Sequence, residues 1–159
     1  MIKKISLRDA MIVILVVLFA GVYYFTRDKD SIPNTEDLSV ITNTTNTTMT
    51  TEGLTIETIR EGSGASAMNG QVVLVDYTGS LPDGTIFDSS IPRGKPFMVH
   101  LGAGEVIRGW DLGLLGMKVG EERKLTIAPE LGYGVNGFPG VIPPNATLIF
   151  DITLKAIQS

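Results

Sequence analysis

Beyond Thr26 only one stretch of the sequence has helical periodicity: Val106 to Leu115, where Ile107, Trp110 and Leu114 recur at i, i+3 and i+7. Gly109 and Gly113 fall inside it, and a glycine in a helix interior costs roughly 1 kcal/mol relative to alanine. A helix this short and this rich in glycine does not hold in isolation, so another element has to pack over it. The remaining sequence supplies sheet. "TLIFDITLKA", Thr147 to Ala156, alternates strictly and places Leu148, Phe150, Ile152, Leu154 and Ala156 on one face, the pattern of a half-buried strand. "QVVLVDYTG", "EERKLTIAP" and "PFMVHLG" read as further strands, and "LPDGTIFDSS" carries an Asp-Gly pair suited to a hairpin turn. Residues 53–159 are therefore expected to form an α+β domain in which antiparallel sheet dominates and one short helix covers its concave face.

Several function classes are excluded at this level. The 159 residues are 43% apolar, enough to build one core. The formal net charge is −4 and no basic block follows the first few residues, so no nucleic-acid partner is expected. Cysteine is absent and His100 is the only histidine, which removes disulfides, thiolate nucleophiles and Cys/His zinc sites. A Ser-His triad would have to centre on His100, which sits in an expected strand without a ligand-spaced partner and reads as an ordinary strand histidine. "GAGEVIRG" has Ile107 in place of the third glycine of a dinucleotide loop, and "GSGAS" has Gly64 where a nucleophile elbow needs serine. No cofactor or metal is expected.

The N-terminus has a different character. "AMIVILVVLFAGVYYF", Ala10 to Phe25, carries no charge and is bounded by Arg8, Asp9, Arg27 and Asp28. As a helix it measures roughly 24 Å, close to a hydrocarbon core of about 30 Å. It shows no polar face, which argues against a buried core helix. A cleavable signal needs small residues at alternate positions before the cut, whereas Leu18 precedes Ala20 and Phe19 precedes Gly21. A transmembrane anchor over residues 1–26 is favoured, with cleavage as the alternative. Lys3, Lys4 and Arg8 before the span place the N-terminus in the cytoplasm and all that comes after it outside. Residues 27–52, rich in Thr, Asn, Asp and Ser, read as a disordered linker between anchor and domain.

Aromatic and aliphatic residues concentrate in segments that carry a resemblance. "VDYTGSLPDGTIFDSS", "KPFMVHLGAGEVIRGWDLGLLGMKVGEERKLTIAPELGYG" and "GFPGVIPPNATLIFDITL" are similar, in order and spacing, to the FKBP-type peptidyl-prolyl cis-trans isomerases over about two thirds of the chain. The resemblance implies a five- or six-stranded antiparallel sheet wrapped around one short helix, with an apolar pocket between them. It implies that Trp110 forms the pocket floor, with Tyr77, Phe87, Tyr133 and Phe150 around it and Asp88 as the polar group near the rim. Phe97, Val106, Ile107, Phe138 and Ile142 are the implied substrate-binding residues, with the Ile107 N–H, the Tyr133 hydroxyl and Asp88 as polar contacts. Leu131 stands where an aromatic is common in the family and Phe138 where a histidine is common, which makes that loop more apolar.

The resemblance and the N-terminal segment together imply a monomeric isomerase domain, acting outside the cytoplasm on proline-containing unfolded or partly folded chains and open to macrolide inhibitors. Two other readings compete: a module that binds proline segments without turnover, and a passive tethered domain. The complete aromatic set favours the isomerase over the passive domain, and a rate measurement separates the isomerase from the binding module.

Overall fold

The computed structural model describes residues 39–43 and 46–158. The expected anchor and the first part of the expected linker lie outside these residues. Among the described residues no helix is long and apolar enough to cross a membrane.

The architecture is one eight-stranded antiparallel sheet with a short helix on its inner face. In chain order the strands are β1 (Ser39–Asn43), β2 (Asn46–Thr51), β3 (Leu54–Arg60), β4 (Val72–Ser80), β5 (Ile86–Ser89), β6 (Phe97–His100), β7 (Glu122–Ile127) and β8 (Leu148–Gln158), and the helix α1 is Arg108–Gly113. The order across the sheet is β1-β2-β3-β7-β8-β4-β5. β4 pairs with β8 along one edge and divides the other, its first residues pairing with β6 and its last with β5. The Asp-Gly turn lies between β4 and β5 as expected, with Gly84 at φ 85°.

Two expectations need correction. Residues 53–158 supply six strands, within the five or six expected, but part of the segment read as a disordered linker is ordered: β1 and β2 form a hairpin that pairs Ser39 with Thr50 and extends the sheet beyond β3 to eight strands. Low apolar content signals disorder only when a segment must supply its own core. This one needs none, because β3 would otherwise present an unpaired edge and β-branched threonine suits a strand. Met49, opposite Ile56, is the apolar residue of β2 that packs against the core. The helix is also shorter than its periodic pattern, with Ile107 and Leu114 as caps rather than interior residues.

β8 has the face expected of it: Leu148, Phe150, Ile152 and Leu154 are all buried. On the neighbouring β7, Leu125 and Ile127 turn inward beneath α1. The glycines that weaken α1 as a helix allow its close approach. A β-carbon at position 109 would stand 2.6 Å from Cγ2 of Ile127, and one at 113 would stand 2.6 Å from Cδ1 of Leu125. Backbone thus packs directly on β7, and Trp110 and Leu114 are free to fill the space beyond. Gly109→Ala is expected to destabilise the fold by about 1–3 kcal/mol in urea unfolding, because overpacking outweighs the gain of about 1 kcal/mol in helix propensity. A net gain would mean that α1 does not lie in contact with β7.

Candidate active site

A concavity of about 520 Å³, including space open to solvent, lies between α1 and the β4–β5–β8 end of the sheet. Its walls come from four places. β4 and β5 contribute Tyr77, Phe87 and Asp88; the start of α1 contributes Val106, Ile107 and Trp110; β8 contributes Phe150; and the loop after β7 contributes Tyr133, Phe138, Val141 and Ile142.

The aromatic rings support one another edge to face. Trp110 is 4% exposed and meets Tyr77 at 5.0 Å and 85°, and Phe150 at 5.2 Å and 83°. Phe87 meets Phe150 at 5.5 Å and 88°. Such pairs contribute about 0.5–1.5 kcal/mol beyond simple burial and fix ring orientation. Gly79 in β4 makes the last pair possible, since a β-carbon there would stand 2.7 Å from Phe87 and 2.8 Å from Phe150. The Trp110 indole N–H is buried with no acceptor among the described residues.

The loop lining the open side is shaped by its backbone. Phe138 N–H donates to the Ile142 carbonyl at 2.8 Å and Ile142 N–H donates back at the same distance, closing a tight turn with Gly140 at φ 78°. This turn holds Phe138, Val141 and Ile142 together against the cavity, and the Phe138 ring meets that of Tyr133 at 6.2 Å.

The polar groups of the wall are tied to one another. Tyr77 donates its hydroxyl to Asp88 Oδ2. Arg93, in the turn after β5, donates to Asp88 Oδ1 at 2.8 Å and to the Tyr77 hydroxyl oxygen at 2.9 Å, with its guanidinium 5.7 Å from the Tyr77 ring centre. The Ser89 N–H adds a 2.8 Å bond to Asp88, the local contact expected if this residue only fixed a turn. Burial, then the charge of Asp88, holds the Tyr77 hydroxyl well above the usual tyrosine range. The same two causes push Tyr133 up to about 12, and its hydroxyl has no hydrogen-bond partner among the described residues. Both tyrosines are neutral donors at physiological pH.

Ten of the eleven residues expected at the site line the cavity. Phe97 does not: from β6 it sets its ring against Tyr77 at 5.8 Å and Trp110 at 6.2 Å, so it braces two wall residues. Sequence reasoning missed Val141 and Arg93. The signal for Val141 was an apolar residue between Gly140 and Ile142; that for Arg93 was a cation five residues after Asp88, just past the turn-forming Pro92. His100 lies apart from the cavity and pairs with Glu105 at 2.6 Å on the surface. Among the described residues no three His, Asp or Glu side chains converge as a metal site.

A sheet wrapped on one glycine-bearing helix, with an aromatic cavity at their junction, has known relatives. The family model for FKBP-type peptidyl-prolyl cis-trans isomerases matches residues 64–155. The chain belongs to this family. It is 55% identical over 105 residues to a protein named FK506-binding protein from Neisseria meningitidis, covering 66% of this chain and 96% of that one. It is 49% identical over 107 residues to a peptidyl-prolyl cis-trans isomerase of Schizosaccharomyces pombe, covering 67% of this chain and 96% of that one. The crystal structure of AtFKBP13 aligns with a TM-score of 0.64 at 39% identity, covering 67% of this chain and 94% of that one. This FKBP-type chain is accordingly a peptidyl-prolyl cis-trans isomerase.

Raised tyrosine pKa values link stability to pH with a definite sign. The folded state keeps Tyr133 protonated up to about 12, whereas the unfolded chain releases that proton near 10. The stabilisation is complete below pH 10 and is lost as pH rises through about 12. Urea midpoints are expected to show no pH dependence from Tyr133 near neutrality and to fall above pH 10, and Tyr133→Phe should reduce that alkaline slope.

Proposed function

We propose that the domain accelerates X-Pro rotation by taking the amide out of water and orienting it against Trp110, without any proton transfer. Rotation costs about 18–20 kcal/mol because amide resonance is lost, and unaided it takes tens to hundreds of seconds. The planar amide has a larger dipole than the twisted one. An apolar enclosure therefore destabilises the ground state more than the transition state, and the barrier falls.

The observation that carries this reading is the character of the wall: aromatic and aliphatic throughout, with its one carboxylate already bound to Arg93 and Tyr77. The donors left for a substrate carbonyl are the Tyr133 hydroxyl and the Ile107 N–H, neither of which has an acceptor among the described residues. Asp88 and Arg93 hold the rim as a neutral pair. Val141, Phe138 and Ile142 form the side against which the substrate's flanking residues lie. The naming of relatives as FK506-binding proteins supports extending the same cavity to macrolide ligands.

The setting we infer is extracytoplasmic, with residues 10–25 as a transmembrane anchor and unfolded or partly folded secreted chains as substrates. The uncharged run Ala10 to Phe25, with Lys3, Lys4 and Arg8 before it, supports this topology. The β1–β2 hairpin takes up the last part of the connection, so the tether is stiffer next to the domain than its composition implies.

The test of mechanism is a protease-coupled isomerisation assay across pH. kcat/KM is expected to be flat from about pH 6 to 8.5, unchanged in His100→Gln, and about tenfold lower in Asp88→Ala, a loss of about 1.4 kcal/mol. A bell-shaped profile centred near neutrality would contradict the desolvation reading, and binding of proline peptides with no acceleration would replace it with a non-catalytic module. For topology, the full chain is expected to stay with membranes in alkaline carbonate while added protease releases the folded domain. A soluble full-length chain would remove the anchor.

A further inference from the structure

Among the described residues the most deeply buried charges lie outside the cavity. Glu121, just before β7, and Arg123, within it, have side chains 3% and 7% exposed, and Arg123 Nε donates to Glu121 Oε1. The other Glu121 oxygen accepts the Lys118 N–H at 2.8 Å. Arg123 Nη1 then reaches α1, donating to the carbonyls of Gly113 at 2.9 Å and Leu115 at 3.0 Å. Carbonyls at this end of a helix have no partners within it, so an external donor is what they require.

Stability alone does not explain a buried ion pair here. Taking two charges from water costs several kcal/mol each, and apolar residues of similar volume often serve as well or better. The guanidinium adds direction, because its donors are held in a rigid planar fork. α1 needs such a fixture. It is six residues long, and Ile107 at its N-cap provides no side-chain hydrogen bond. Successive inward residues of β7 meet it in order: Ile127 against Gly109, Leu125 against Gly113, and Arg123 on the carbonyls of Gly113 and Leu115. The two aliphatic contacts set how closely the helix lies and limit its register only to the width of the glycine notches, whereas the Arg123 bonds are directional and tie its carbonyl end to particular acceptors.

We propose that Arg123, oriented by Glu121, is a positioning residue for isomerisation: it sets the axial register of α1 on β7 and so the place where Ile107 and Trp110 meet the substrate. The proposal rests on the pocket mechanism, in which orientation against Trp110 matters. For a reaction governed by orientation, a misplacement of about 1 Å costs up to about 100-fold.

The test uses the full chain with two variants. Glu121→Leu combined with Arg123→Met removes both charges and strands neither; Arg123→Lys keeps the cation but loses the fork. Trp110 is the only tryptophan, so fluorescence excited beyond the tyrosine band, and dichroism in the long-wavelength tryptophan band, report the pocket floor alone. Assayed below its unfolding transition, the double variant is expected to lose about tenfold in kcat/KM and to shift the Trp110 spectrum. Arg123→Lys is expected to change both in the same direction, by about threefold in rate, and it carries the test if the double variant does not fold. Folded variants with kcat/KM within about twofold of the parent and an unaltered Trp110 spectrum would overturn the proposal. A parent chain inactive on every X-Pro peptide would overturn the pocket mechanism instead, and the Trp110 spectrum would still decide whether Arg123 positions the helix.

Discussion

The helix α1 touches β7 through two glycines, so that Ile127 and Leu125 occupy the places where side chains at 109 and 113 would stand. The site depends on this close approach. It brings Trp110 to the depth at which Tyr77 and Phe150 meet its ring edge to face, and that box of rings forms the end of the cavity. A helix held one side-chain diameter farther out would leave a gap, and interiors close-packed at crystal-like density do not tolerate gaps without losing stability or order. The residues that are poor for helix formation are therefore the ones the cavity requires.

The cavity holds little free polarity. Asp88 would be the obvious general base in an acid-base enzyme, yet its carboxylate is bound by Arg93, by the Tyr77 hydroxyl and by the Ser89 N–H. An anion held in this way fixes β5 and the turn after it against β4 while its field at the cavity is offset by the guanidinium. The tyrosines are kept neutral by burial and by Asp88 itself. The surroundings thus disfavour charge separation and favour a reaction in which a dipole shrinks.

Much of this was legible in the sequence, for identifiable reasons. The alternation from Leu148 to Leu154 places four side chains on the buried face, because a period of two kept over the whole of this stretch leaves no ambiguity of face. The α1 segment was legible as the only helical period beyond Thr26, though its ends were overestimated, since apolar spacing continues through Ile107 and Leu114 while the hydrogen bonds do not. The cavity residues were legible through family resemblance rather than periodicity, which cannot say that Phe138 and Trp110 face one space. Three features were not legible. The β1–β2 hairpin exists through backbone pairing to β3, which threonine-rich composition conceals. Phe97 lies one ring behind the wall, a distance that sequence does not encode. Arg93 and Arg123 look like surface cations until the fold brings Asp88 to one and the carbonyl end of α1 to the other.

The central claim is that the barrier falls because the amide is desolvated and oriented, with no proton in flight. The solvent deuterium isotope effect on kcat/KM, measured with one X-Pro peptide at matched positions on the pH profile, tests this most directly. A value close to 1 is what a purely rotational transition state gives. A normal effect of about 2 or more would mean that a proton moves between heavy atoms in the rate-limiting step, and would contradict the account.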